Sequence, residues 1–205
     1  MTAILLAAAL MGDVQVCAST RIESSESIKE LAIHAITGAI EHRKATAAKL
    51  DTRTLESIQA ALRAIGRDGW MPVLRRAAKV LGFIVADSSG TVEYSYEFDA
   101  GPKHIRRWAE IRNGSVQTSV VLTGEVGDRR AKRAELVLVA NEVNATTTEI
   151  HMELRVDVAI GCIGRRIAQR KVCERLCEIE AAGRAAVKAG RSGPEAMVSR
   201  FVEGL

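Results

Sequence analysis

Apolar and polar positions alternate most regularly between residues 146 and 158. Ile150, Met152, Leu154, Val156 and Val158 interleave with Glu149, His151, Glu153, Arg155 and Asp157, the period of two of a strand with one buried and one wet face. After Gly161 the period becomes helical and stays so to about Gly190, which predicts a strand handing over to a long helix. Three amphipathic helices are predicted upstream. Ser24 and Ser25 can cap the first, whose apolar positions Ile28, Leu31, Ala35 and Ala39 fall at steps of three and four. The second begins near Asp51 or Thr52, carries Leu55, Ile58, Leu62 and Ile65 on one face and stops at Gly66. The third starts at Pro72 and runs through Leu74, Ala77, Ala78 and Leu81 to Gly82.

The middle of the chain reads as strands. Phe83 to Ala86 is a short one, and Val92, Tyr94, Tyr96 and Phe98 then alternate with Thr91, Glu93, Ser95 and Glu97. Lys103 to Arg112 is a weaker strand, Asn113-Gly114 a two-residue hairpin signal, and Ser115 to Val126 a further strand. Residues 129–144 fit both templates: a helix would align Leu136, Val139, Ala140 and Val143, a strand would run from Glu135 to Ala140. The strand is preferred because it completes an antiparallel meander, and a last helix follows from about Pro194 to Val202. The expected class is α+β: N-terminal helices followed by an antiparallel sheet of four to five strands covered by a long C-terminal helix. The expected division is an apolar segment over 1–22, a helical region over 23–82, and the sheet with its long helix over 83–205.

Composition narrows the partners. A hydrophobic share of 47% supports a real core, and a net charge of +4 permits an anionic partner without demanding one. Aromatic residues are only 3% of the chain, which argues against base stacking and aromatic carbohydrate platforms. Ile4 to Met11 is an apolar run too short to span a bilayer, and Val16-Cys17-Ala18 would suit a signal-peptidase cut. No Lys or Arg precedes the run, however, and Asp13 follows it closely, so the preferred reading is an apolar first helix or strand docked on the domain. Cleavage would leave Cys162, Cys173 and Cys177, an odd number, with Cys173 and Cys177 one helical turn apart, where a disulfide does not readily close. A cytoplasmic location is the expectation and export the alternative. The cysteines read as core packing of the long helix, since the CxxC spacing of zinc modules is absent and no His is close in sequence.

Catalytic signals are poor. There is no HExxH, Walker loop, GxSxG or GxGxxG motif, so no catalytic residue, cofactor or metal is expected and the reading leans away from an enzyme. Glu93, Glu97, Glu149 and Glu153 fall on the outward phase of their strands and read as solubility. Basic clusters at Arg75-Arg76, Arg106-Arg107, 129–133 and 165–171 read as solvated faces. If the fold joins two of them, the binding candidates are Arg129, Arg130, Lys132, Arg133, Gly161, Gly164, Arg165, Arg166, Arg170 and Lys171, facing a phosphate or an acidic protein. Gly161-Cys-Ile-Gly164 with Arg165-Arg166 resembles the GxxG loop of KH domains, which implies contact with a phosphodiester backbone.

Two wider resemblances lead to different folds. Val80-Leu-Gly-Phe83 ending a helix, and Ala140-Asn-Glu-Val-Asn-Ala145 before the strand from Glu149 to Asp157, resemble the YbjN family, whose fold is shared with type III secretion chaperones. That likeness spans roughly residues 71–159, requires 129–144 to be helical, and implies a small dimerising, protein-binding module. Thr146 to Val187 is similar to the ending of START-like (SRPBCC) domains, a last strand and then a long helix across a curved sheet, which implies an apolar ligand cavity beneath the helix. The chain departs from that fold at the front, where three helices stand in place of an opening strand. The leading expectation is non-catalytic, chaperone-like binding of a protein partner, as a homodimer. The alternatives are an apolar ligand such as a lipid in a START-like pocket, and nucleic acid at the basic corner from Gly161 to Lys171. Residues 129–144 separate the two folds.

Overall fold

The computed structural model describes residues 12–46, 52–64, 69–86, 90–126, 131–160 and 164–204. Its strands are β1 (Gly12–Ser24), β2 (Ile84–Ala86), β3 (Thr91–Ala100), β4 (Lys103–Arg112), β5 (Ser115–Val126), β6 (Ala131–Asn144) and β7 (Thr147–Ile160). They form one seven-stranded sheet in the order β1-β7-β6-β5-β4-β3-β2, every pair antiparallel. β2 to β7 are the expected meander. β1 then adds to the edge that β7 leaves open, paired from Gly12 opposite Ile160 to Ser24 opposite Thr148.

Three expectations change here. The sheet has seven strands instead of four to five, because the segment read as signal or docking peptide supplies β1 and the three-residue β2 extends the far edge. Val16, Cys17 and Ala18 lie inside β1, opposite Val156, Arg155 and Leu154. Among the described residues a strand thus precedes the three helices. Residues 131–144 form strand β6, which excludes the helix that the YbjN resemblance requires. Ala134, Leu136, Leu138 and Ala140 are all buried, paired on one side with β5 and on the other with β7, whereas Val143, which a helix would have buried, is 62% exposed.

The register stacks the inward residues in rows across the sheet. One row reads Val92, Ile111, Val116, Ala140, Ile150 and Ile22; the next Tyr94, Ala109, Thr118, Leu138, Met152 and Thr20. A third reads Tyr96, Arg107, Val120, Leu136, Leu154 and Ala18. Beyond it, Gly124 sits at a bulge in β5 at φ 94°, where a Cβ would stand 2.5 Å from the Pro102 carbonyl oxygen.

The helices are α1 (Ile28–Thr46), α2 (Thr52–Ala64), α3 (Trp70–Val80), α4 (Gly164–Lys188) and α5 (Gly193–Glu203). α1 starts at a capping box: the Ser27 amide donates to Glu30 Oε2 at 2.8 Å and the Glu30 amide donates to Ser27 Oγ, so Ser27 takes the role expected of Ser24 and Ser25. α1 lies on β3, β5 and β6, not beside the sheet, and buries Leu31, Ala32, Ile36, Ala39 and Ile40 against it. α3 packs on β2 and β3 through Leu74 and Ala78. α4 packs on β1, β7 and α5, burying Val172, Leu176, Ile179, Gly183 and Ala186, with Gly183 against Met197 of α5. Cys173 and Cys177 follow Val172 and Leu176 by one residue, about 100° round the helix, and are exposed; they are not core residues. Cys17, on the outer face of β1, is exposed too, and Cys162 lies outside the described residues. No helix among the described residues is long and apolar enough to cross a membrane.

Candidate functional site

β4 breaks the apolar rule of the inner face. Ile105, Ala109 and Ile111 point inward, and so, in the same phase, do Lys103 and Arg107. The Arg107 side chain is only 13% exposed. Such a group needs a partner, because a guanidinium out of water without one is strongly unfavourable. Arg107 finds it in α5: Nη2 donates to Glu195 Oε1 at 3.0 Å, across 88 residues of chain. The guanidinium also stands 5.9 Å from the centre of the Tyr96 ring, a cation–π arrangement. Burial works against its charge, but the Glu195 carboxylate and the two tyrosines outweigh burial and hold its pKa above the ordinary value. Lys103 serves the other end of α5, where its Nζ donates to the Val202 carbonyl at 3.1 Å. Two cations of one strand thus hold a helix across the sheet.

Aromatic residues gather at this point. Phe83, Tyr94, Tyr96 and Phe98 form a ladder with ring centres 5.2, 6.2 and 6.1 Å apart. The Tyr94 hydroxyl donates to the Ala35 carbonyl of α1, and burial pushes its pKa well up, so it remains a phenol. One turn further along α1, Gly38 lets the helix pass close over the cluster: a Cβ there would be 3.4 Å from Arg107 Nη1 and 3.7 Å from the Tyr96 hydroxyl.

Beside the cluster, α1 and α5 meet over the sheet and leave a small cavity. Its apolar walls are Leu31, Ala35, Val116, Leu138, Ile150 and Val198, and its polar ones Thr118, His34 and Glu195. The space is about 20 Å³, room for about one water molecule. His34 and Glu195 line the solvent side, with side chains 44% and 36% exposed. A second carboxylate anchors the start of α5: Glu26 Oε2 accepts the Gly193 amide at 3.0 Å, and its Oε1 is 3.8 Å from His34 Nε2. Burial raises the Glu26 pKa, only partly offset by the Gly193 amide, His34 and Ser24.

The sequence candidates lie elsewhere. Arg129, Arg130 and Gly161 are outside the described residues. Lys132 and Arg133 are exposed at the start of β6, where Arg133 pairs with Glu135 at 3.0 Å. Gly164 opens α4, and Arg165, Arg166, Arg170 and Lys171 are exposed along its first turns, Arg170 pairing with Glu174 at 2.7 Å. These groups stand on the outer surface, away from the inner-face cluster. Arg107 was read as half of a solvated Arg106-Arg107 pair. The signal against that was its phase, since it shares the inward positions of Ile105, Ala109 and Ile111. Nothing local marks Glu195 or Glu26. Among the described residues no group of three His, Cys, Asp or Glu is placed to hold a metal ion.

No family model matches this chain, and no curated protein does. Among solved structures it is similar to the ZhuI aromatase/cyclase from Streptomyces sp. R1128, at 8% identity and a TM-score of 0.31 over 93% of this chain and 86% of that one. Norcoclaurine synthase from Thalictrum flavum, in complex with dopamine and hydroxybenzaldehyde, matches at 8% identity and a TM-score of 0.33 over 94% and 90%. The Mll3558 protein from Rhizobium loti matches at 11% identity and a TM-score of 0.26 over 80% and 95%. At such scores these likenesses carry no weight for function.

Proposed function

We propose that this protein binds a small molecule with an apolar body in the seam between α1, α5 and the inner face of the sheet. The observation that carries the reading is Arg107: a largely buried cation on a mostly apolar sheet face, beside an aromatic ladder and a cavity that reaches solvent at His34 and Glu195. A few fixed polar groups among apolar walls is the usual composition of a ligand site. Protein binding through the sheet surface or the helical half, the leading expectation from sequence, has in its support an open hollow on the outer sheet face lined by Trp108, Val121, Val137, Arg106, Arg133 and Arg155, where no cation is buried as Arg107 is.

The seam is closed. A cavity of about 20 Å³ is far below the roughly 300 Å³ at which ligand pockets begin, so binding has to part α1 from α5. α5 is the element to move. Its N-terminus hangs on polar contacts from Glu26 and to Arg107, and Gly190 at φ 67° and Gly193 sit in the turn that joins it to α4. The test is titration with the apolar fluorophore anilinonaphthalene sulfonate, with hydrogen exchange read along α1 and α5. One molecule bound per chain, with slowed exchange in both helices, is the expected result. No enhancement of fluorescence in the folded protein, together with native mass spectra free of any adduct, would overturn the reading.

A further inference from the structure

We infer that the ligand of this seam carries a single carboxylate, which takes the place of Glu195 on the Arg107 guanidinium. The inference rests on the small-molecule reading above and adds the chemical class of the ligand.

The two members of the pair are unequal. Arg107 is 13% exposed and fixed on the sheet between Tyr96 and the passing backbone at Gly38. Glu195 is 36% exposed and lies in the first turn of α5, where the helix N-terminus favours a carboxylate even when its partner is gone. Glu195 can therefore turn to water at little electrostatic loss, whereas Arg107, with little access to water, gains far more from an anion beside it. The exchange is like for like. One carboxylate oxygen already sits 3.0 Å from Nη2, so a second carboxylate entering from the cavity finds the same donor. Charge selects the class. The cluster holds one buried cation, balanced by one negative charge; a doubly charged phosphate would bring a surplus charge next to Glu195 and Glu26. The Tyr94 hydroxyl is committed to Ala35 and adds no further donor for such a group.

The apolar body fits the direction of the cavity. From the row of Arg107, Val120 and Leu136 the inner face runs through the row of Thr118 and Leu138 to that of Val116, Ala140 and Ile150, a distance along the strands of about 14 Å at roughly 3.4 Å per residue. The cavity lies over the second and third of these rows, on β5, β6 and β7. A straight alkyl chain or a fused aromatic ring can occupy it once α5 lifts.

The experiment uses matched pairs, decanoate against decanol and naphthylacetate against naphthylethanol, titrated calorimetrically into the full chain and into Arg107→Met and Glu195→Gln. The wild type is expected to bind the acids about 10- to 100-fold more tightly than the alcohols, the range for a hydrogen bond to a buried charge. Arg107→Met should erase that preference while alcohol binding persists. Glu195→Gln should tighten acid binding several-fold more than alcohol binding, because it removes the internal competitor in addition to loosening α5. If Arg107→Met does not fold, Glu195→Gln decides alone, since a loosened α5 favours acid and alcohol alike and only loss of the competitor favours the acid. Equal affinity for acid and alcohol in the wild type, or weaker acid binding in Glu195→Gln, overturns the carboxylate assignment and leaves the seam reading standing. Binding of none of the four compounds overturns both.

Discussion

The Arg107–Glu195 pair makes a stability prediction whose two arms differ in size. Replacing Glu195 by Gln leaves a guanidinium that is 13% exposed without its counter-charge. Removing one partner of a fully buried pair costs about 3–5 kcal/mol. Tyr96 still offers its ring face, worth about 1 kcal/mol, and the glutamine oxygen still accepts a hydrogen bond, so about 2 kcal/mol is expected for Glu195→Gln. Arg107→Met differs in kind. It keeps an apolar stem of similar length on the inner face, and the abandoned carboxylate is 36% exposed at a helix N-terminus, so it hydrates in place. The expected loss is about 1 kcal/mol or less, because the carboxylate left behind is screened by water and no buried charge is stranded. The double variant should then resemble Arg107→Met alone, with a coupling of about 2 kcal/mol. Urea denaturation followed by circular dichroism measures all four proteins. Should Arg107→Met prove the more damaging change while Glu195→Gln stays within about 0.5 kcal/mol of wild type, the claim that Arg107 is the trapped member of the pair is wrong.

Other consequences are equally direct. Gly124→Ala places a Cβ at φ 94° and 2.5 Å from the rigid Pro102 carbonyl, so a loss of about 2–4 kcal/mol in chemical denaturation is expected; a loss below about 0.5 kcal/mol would mean that the bulge is not held there. Cys17, Cys173 and Cys177 should all react with a thiol reagent in the native protein as fast as in the unfolded chain, and protection of Cys173 or Cys177 would return them to the core. Glu26 gives a pH signature. Burial raises its pKa above the ordinary 4.5, so the folded chain holds that proton more tightly than the unfolded one. Its contribution is complete below the ordinary carboxyl value and is lost as the pH rises through the folded pKa. The stability of wild type relative to Glu26→Gln should accordingly fall across that window, and a relative gain with rising pH would contradict the assignment.

How much of this was legible depends on the range of the interactions. β7, α4 and the three N-terminal helices were readable because each repeats its own period many times over. The Asn113-Gly114 turn was readable because a two-residue hairpin needs a positive φ, which Gly114 adopts at 86°. β1 stayed open between signal peptide, docked helix and docked strand, since its alternation of Val14, Val16, Ala18, Thr20 and Ile22 is diluted by small and polar residues that only pairing with β7 stabilises. β6 stayed ambiguous for the same reason: its run satisfies both periods locally, and hydrogen bonds to β5 and β7 on either side are what exclude the helix.

By itself the sequence determined the α+β class, the order of most elements and the phases of β3 and β7, because these follow from steric and hydrophobic preferences acting within a few residues; the inward phase of Arg107 came only with the pairing of β4. Only the tertiary structure decided what that phase means. Glu195 is 88 residues away and meets Arg107 only because α5 folds back over the sheet, while Glu26 ties the other side of the same helix across 167 residues. A charge in a core is explained by its partner, and the partner is chosen by the fold.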